Sequence, residues 1–116
     1  MNEEHKFFTG MFAFAGHGLE EPVILEPRPV YTVPPNKRVQ FMYGRIGNPT
    51  TEFLYVALQR DGKSVRLFPC GPKSGITVPL AIIDDTLSGS TVELKIAAPE
   101  GLVAKVMIDV GFVEFE

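Results

Sequence analysis

His5, His17 and Cys70 are the residues whose side chains could bind a transition metal, because imidazole and thiolate are common metal ligands. A blue-copper centre takes a thiolate, a histidine and a weak methionine ligand from one compact loop. Here Cys70 is followed by Gly-Pro-Lys-Ser, and both histidines lie far upstream. A structural zinc site also needs more ligands at closer spacing. The pattern therefore predicts no bound metal and no cofactor.

Catalysis by this chain would have to use Cys70, His17 or the adjacent carboxylates Asp84 and Asp85. A nucleophilic cysteine needs a base and an electropositive setting, and Lys73 is the nearest cation in sequence. The two aspartates precede Thr-Leu-Ser-Gly, a composition typical of a turn in which the carboxylate caps backbone N–H groups. We therefore expect a non-enzymatic protein. A small enzyme with these residues around a cleft is the least favoured alternative.

The elements that would have to position such residues are short strands. Ten prolines and eleven glycines divide the 116 residues into short apolar pieces, and none keeps helical spacing for three turns. This pattern predicts an all-β fold with a single domain over residues 1–116. It favours a mostly antiparallel two-layer β-sandwich, immunoglobulin-like or jelly-roll, of seven to nine short strands. The predicted strands span residues 7–14, 29–33, 37–45, 52–60, 63–69, 76–83, 91–98 and 102–109, the last extended by 110–115.

A β-hairpin around Asp61-Gly62 is the clearest local prediction, since these residues accept the positive φ angles of a type I′ turn. Pairing Arg60 with Lys63 would place Leu58 opposite Val65, and Val56 opposite Leu67. In the strand before the hairpin, alternation puts Val39, Phe41 and Tyr43 on one face. The first hairpin arm, residues 53–58, is apolar on both faces, which indicates a central strand or one covered by a second subunit.

Aromatic residues near both ends of the sequence suggest self-association. In strand geometry Phe8, Phe12 and Phe14 share one face, and Phe7 lies on the other with Met11. A terminal segment of this composition is expected to be held either in its own sheet or against a neighbouring subunit. Because so much apolar surface exceeds what a two-layer core hides easily, we expect a homo-oligomer. The candidate self-association residues are Phe7, Phe8, Phe12, Phe14, Phe112 and Phe115.

The alternative function is that of a carbohydrate or small-ligand binding module. Tyr31, Tyr43 and Tyr55 would then serve as stacking platforms for the ligand. The absence of tryptophan disfavours this alternative, because sugar-binding sandwiches often use that residue.

Charge and patterning exclude other partners. Eleven basic against fourteen acidic residues give a net charge of −3, so no nucleic-acid partner is expected. The sequence starts Met-Asn-Glu-Glu-His-Lys, which is acidic where a secretory signal is basic. The apolar stretch 7–15 is too short to cross a bilayer. We therefore expect no membrane association and a cytoplasmic location, with which a single cysteine is compatible.

Overall fold

The computed structural model describes residues 3–80 and 86–116, and within these ranges the chain forms ten β-strands and no helix. In chain order the strands are β1 (Glu3–Ala15), β2 (Gly18–Ile24), β3 (Val30–Thr32), β4 (Arg38–Asn48), β5 (Leu54–Arg60), β6 (Lys63–Cys70), β7 (Ser74–Pro79), β8 (Thr86–Leu87), β9 (Thr91–Ala98) and β10 (Val103–Phe115).

The strands form two antiparallel sheets that pack against each other, so the predicted all-β two-layer sandwich is confirmed. Sheet A has the order β1-β10-β4-β7, with β8 beside β4. Sheet B has the order β2-β9-β5-β6, with β3 beside β9. The strand count is higher than the seven to nine predicted, and β1 and β10 are 13 residues long rather than short. These two strands are long because pairing between them continues through Gly10 and Gly111.

The strand order is that of a jelly roll. The pairs β1–β10, β2–β9, β4–β7 and β5–β6 are all antiparallel, and together they make one long two-stranded ribbon. The ribbon has its hairpin end at β5–β6 and wraps so that its pairs alternate between the two sheets. An immunoglobulin-like sandwich would instead place its first two strands side by side in one sheet.

The core lies between the inner faces of the two sheets. Its largest fully buried side chain is Phe68 of β6, which lies against Gly44 of β4. A Cβ atom at Gly44 would lie 2.6 Å from Cε1 of Phe68, so the missing side chain lets the sheets approach here. The other large, fully buried side chains are Leu25, Val33, Val39, Ile46, Leu54, Val56, Val92, Leu94, Ile96, Val106 and Ile108.

Strand β1 is held within its own sheet, the first of the two alternatives that its composition allowed. It pairs with β10 from Glu3 to Ala15. The predicted alternation is confirmed: Phe12 and Phe14 are buried, whereas Phe7 and Met11 are exposed on the outer face. Strand β5 is a central strand between β9 and β6, as its two apolar faces indicated.

Two β-bulges alter the predicted side-chain facing. In β4, Gly111 pairs with Tyr43 but Phe112 pairs with Phe41, so Met42 is an extra residue. The prediction that Tyr43 shares a face with Val39 and Phe41 is therefore wrong beyond Phe41. Tyr43 lies on the outer face, and Gly44 and Ile46 continue the inner one.

The hairpin prediction is correct at the turn and wrong in the arms. Arg60 pairs with Lys63, and Asp61 and Gly62 have φ angles of 52° and 84°. A bulge at Val65 then shifts the register by one residue. Leu58 lies opposite Arg66, not Val65, and Val56 lies opposite Phe68, not Leu67. The bulge turns Phe68 into the core and leaves Leu67 exposed on the outer face of sheet B.

Candidate functional site

The outer face of sheet A is the candidate site, because strand registers bring three rows of unlike chemistry together there. Each row crosses the four strands in the order β1, β10, β4, β7. The aromatic row is Phe7, Gly111, Tyr43 and Pro79; the polar row is Thr9, Asp109, Arg45 and Thr77; the groove row is Met11, Met107, Gly47 and Gly75.

The groove row forms an open cleft of about 570 Å³, which extends toward Asn48, Pro49, Lys73 and Ser74. Gly47 and Gly75 have no side chains, so the backbone of β4 and β7 forms the floor. Met11 and Met107 stand beside it on β1 and β10, 47% and 53% exposed. A Cβ at Gly47 would lie 3.2 Å from Cβ of Met107, so even alanine would crowd this end of the cleft. Methionine is flexible and polarizable, which suits it to an adaptable contact surface.

The polar row is a hydrogen-bonded cluster around Asp109. Tyr43 Oη donates a hydrogen bond of 2.9 Å to Asp109 Oδ1, and Thr9 Oγ1 donates a longer one of 3.4 Å to the same atom. Arg45 Nη1 lies 3.6 Å from Asp109 Oδ2. Burial and the hydrogen bond to Asp109 raise the pKa of Tyr43. The row therefore presents one negative and one positive group side by side on β10 and β4.

In the aromatic row the ring of Tyr43 covers Gly111, where a Cβ would collide with Cε2 of that ring. Beside it on β1, the side chain of Phe7 is 58% exposed. Of these three rows, the aromatic row and the groove row are mainly apolar, and the row between them is polar.

Most of the aromatic residues predicted to mediate self-association are buried in the chain's own core. Phe12, Phe14, Phe112 and Phe115 are each less than 10% exposed, and Phe8 is half-buried against Phe112, with ring centroids 5.3 Å apart. In this fold, Phe7 alone of the six predicted residues offers a largely exposed ring. The inward face of a terminal strand has the same composition as an interface, so the sequence pattern alone does not distinguish the two.

Tyr31 lies at the edge between the sheets rather than on a ligand-accessible face. Its ring packs against Phe112 with centroids 5.3 Å apart, and its hydroxyl donates a hydrogen bond to the buried carboxylate of Glu114. Lys6 Nζ lies 5.8 Å from the ring centroid and forms a 3.0 Å ion pair with Glu4. Burial, followed by the hydrogen bond to Glu114, raises the pKa of Tyr31 to about 12. The hydrogen bond between Tyr31 and Glu114 therefore joins β3 of sheet B to β10 of sheet A.

Tyr55 lies on the outer face of sheet B, where its hydroxyl donates a 2.8 Å hydrogen bond to the carbonyl of Leu19. The three tyrosines predicted as stacking platforms are therefore on separate surfaces. The structure brings only Tyr43 to the cleft-bearing face.

The candidate catalytic and metal-binding residues are not assembled. Cys70 is buried on β6, with Sγ 3.2 Å from the carbonyl oxygen of Ser74. His5 lies on β1, which is at the other edge of the sandwich, and His17 pairs with Glu21 at 3.3 Å in the β1–β2 region. Asp84 and Asp85 lie outside the described residues. Within residues 3–80 and 86–116, no group of three or more His, Cys, Asp or Glu side chains could hold a metal ion.

Sequence reasoning missed the groove row. Met11 was placed on the same face of β1 as Phe7, but Met107, Gly47 and Gly75 were not recognised as its neighbours, because their proximity depends on the pairing of distant strands. A methionine at an outward strand position, flanked by charged residues as in Lys105-Val-Met-Ile-Asp109, is the signal that could have identified Met107.

Comparisons with known proteins add no family to this description. No protein-family model matches the chain, and no curated protein matches it significantly. In the part of the chain that the structure covers, no helix is long and apolar enough to cross a membrane.

Proposed function

We propose that this protein is a non-enzymatic structural or binding module that associates with copies of itself through the outer face of sheet A. The observation that carries the proposal is the exposure of Phe7, Met11 and Met107 on two paired strands. Met11 and Met107 are direct cross-strand partners, and Phe7 lies one row beyond Thr9 on β1. Apolar side chains clustered in this way lose unfavourable hydration when a second surface covers them.

The outer face of sheet B lacks such a cluster. Its exposed large apolar residues are Leu19 and Ile24 on the edge strand β2, Val30 on β3, and Leu67 on the opposite edge strand β6. Between these edges lies β9, where Glu93 accepts hydrogen bonds of 2.9 Å and 2.7 Å from Arg28. Apolar residues separated by charged ones are normal on a monomer surface, which favours sheet A as the interface.

The absence of enzymatic activity is part of the same proposal. It is supported by the burial of Cys70 and by its separation from His5 and His17 at opposite edges of the sandwich. A nucleophilic thiol needs a neighbouring base and access to substrate.

Light scattering coupled to size-exclusion chromatography tests the association. The wild-type protein should exceed the monomer mass of 12.8 kDa as its concentration is raised through the micromolar range. Met107→Lys should shift the distribution to monomer, because association would bury an unpaired ammonium group. Leu67→Lys is the matched control, since Leu67 is 56% exposed but lies on sheet B. A wild-type protein that stays monomeric at every concentration would contradict the proposal.

A second candidate function is the binding of a small ligand or saccharide in the groove-row cleft. The observation that favours it is the cleft volume of about 570 Å³, which lies in the range of small-molecule sites. The polar row beside the cleft supplies Asp109 and Arg45 as hydrogen-bonding groups. Thermal-shift screening against saccharides and small apolar ligands should then raise the unfolding temperature. Gly75→Leu, which fills the cleft, should abolish that response.

A further inference from the structure

A line between β10 and β4 divides the groove row and the polar row of sheet A into unlike halves. On the β1–β10 side the groove row carries Met11 and Met107, and on the β4–β7 side it carries Gly47 and Gly75. The polar row divides in the same way, with Asp109 on the first side and Arg45 on the second. In the groove row each methionine therefore has a glycine counterpart across this line, and in the polar row Asp109 has Arg45.

We infer that two copies of the chain pack face to face through sheet A about a two-fold axis that runs parallel to the strands between β10 and β4. The inference rests on the proposed self-association and specifies its geometry. Rotation about this axis places β10 of one copy over β4 of the other, and β1 over β7. The same contacts are then made twice, as in any isologous dimer.

This axis gives complementary shapes in the groove row. Met107 of each copy lies over Gly47 of the second copy, and Met11 lies over Gly75. The methionine side chains enter the clefts that the glycines leave open, so the bulky half of each face fills the hollow half of the other. The cores of stable dimer interfaces are packed as densely as protein interiors. Two sheet faces reach that density when side chains of one enter the gaps between side chains of the other.

The same axis gives complementary charges in the polar row. Asp109 of each copy faces Arg45 of the second copy, so the dimer holds two ion pairs related by symmetry. An axis that crosses the strands along the polar row would place Asp109 over Asp109 and Arg45 over Arg45. Like charges that face each other in an interface weaken association, which disfavours that arrangement.

A charge-exchange experiment separates this intermolecular pairing from the ion pair within each chain. Asp109→Arg leaves two positive groups in the polar row, and Arg45→Asp leaves two negative ones. Each variant alone should dimerise at least about tenfold more weakly than wild type, because like charges then face each other. Mixed in equal amounts, the two variants should form a heterodimer with affinity near that of wild type. Native mass spectrometry distinguishes this heterodimer from either homodimer by mass.

Two controls keep the result interpretable. Lys63→Asp makes the same charge change as Arg45→Asp at the hairpin turn, and it should leave dimerisation unchanged. Circular dichroism checks that both polar-row variants are folded. Arg45 is 58% exposed and its ion pair within the chain contributes little to stability, whereas Asp109 is 28% exposed and also accepts the hydrogen bond from Tyr43. Gly75→Leu fills the cleft without changing charge and should weaken dimerisation by at least about tenfold.

The outcomes distinguish this geometry from the proposal on which it rests. If the wild-type protein associates but the mixed variants form no heterodimer, the two-fold geometry is wrong and self-association stands. If the wild-type protein is monomeric throughout, both fail together. A monomer whose unfolding temperature rises with a saccharide, and no longer does so in Gly75→Leu, would assign the same face to the small ligand.

Discussion

Asn48 is a buried amide at the end of β4 that holds three chain segments together. Its Nδ2 donates hydrogen bonds to the carbonyls of Glu52 at 2.8 Å, Gly71 at 3.0 Å and Cys70 at 3.3 Å. Its Oδ1 accepts from the backbone N–H of Thr50 at 2.9 Å and from the hydroxyl of the same residue. One side chain thus fixes the β4–β5 and β6–β7 connections beside the groove row.

Asn48→Ala should lower the free energy of unfolding by about 2–3 kcal/mol, because it leaves buried backbone groups without partners. Urea denaturation monitored by circular dichroism measures the change. Thr51→Ala, an exposed neighbour, should change the unfolding free energy by less than about 0.5 kcal/mol. A loss of similar size in both variants would mean that the loop, and not the amide, is responsible.

The hydroxyl of Tyr31 makes the stability of the fold depend on pH in the alkaline range. The pKa of Tyr31 rises from an ordinary 10.0 to about 12 in the folded chain, through burial and the hydrogen bond to Glu114. Because the folded state holds this proton more tightly, the stabilisation is complete below pH 10. It is lost as the pH rises from about 10 to about 12.

We therefore expect the free energy of unfolding to fall across this interval, and Tyr31→Phe to remove that part of the fall. Urea titrations at several pH values, together with the phenolate absorbance of the folded protein, measure both effects. Tyr55→Phe is the control, since its hydroxyl bonds a backbone carbonyl. If Tyr31→Phe left the alkaline slope unchanged, the titration of Tyr31 would not be its source.

At the scale of elements, local signals predicted the strands but not the bulges. Strand β9 coincides with the alternating run at residues 91–98, and the Asp-Gly turn closes β5 and β6 as its φ preferences require. The bulges at Met42 and Val65 depend on how each strand meets its partner and the opposite sheet. No pattern within β4 or β6 records that, so the facings of Tyr43 and Leu67 were predicted incorrectly.

The turn of the β5–β6 hairpin is also hydrogen-bonded to a third strand, β9. Asp61 Oδ1 accepts a 2.9 Å hydrogen bond from the backbone N–H of Thr91, and the N–H of Asp61 donates 2.8 Å to the carbonyl of Thr91. The Asp-Gly pair therefore holds β9 in register with β5 as well as closing the hairpin.

Gly62→Ala should lower the free energy of unfolding by about 1–2 kcal/mol, because its φ of 84° is costly for a residue with a Cβ atom. Space is not the cause, since nothing lies within 4 Å of the added atom. Gly71→Ala, where the nearest atom is Ser74 Oγ at 3.6 Å and φ is not positive, is the matched control. Equal unfolding free energies for Gly62→Ala and wild type would show that the turn relaxes.

For the whole molecule, the sequence pattern was enough to predict a two-layer sandwich but not the order of the strands within its sheets. Residues such as Met11, Met107, Gly47 and Gly75 are far apart in sequence and meet only because β1, β10, β4 and β7 are neighbours. Strand order depends on non-local pairing, which turn chemistry and alternation do not specify. The candidate site is a product of that order, so no pattern within a single strand predicts it.

The pairing of Glu3 with Phe115 has a practical consequence for engineering. Since β1 and β10 run side by side along their full length, a linker of a few residues could join them into a cyclic backbone. Opening that ring at Asp61-Gly62 would give a circular permutant with every strand intact and its new ends at the far tip of the ribbon. Tags or fused domains could then be attached to sheet B instead of sheet A, at the same end of the sandwich as Glu3 and Phe115.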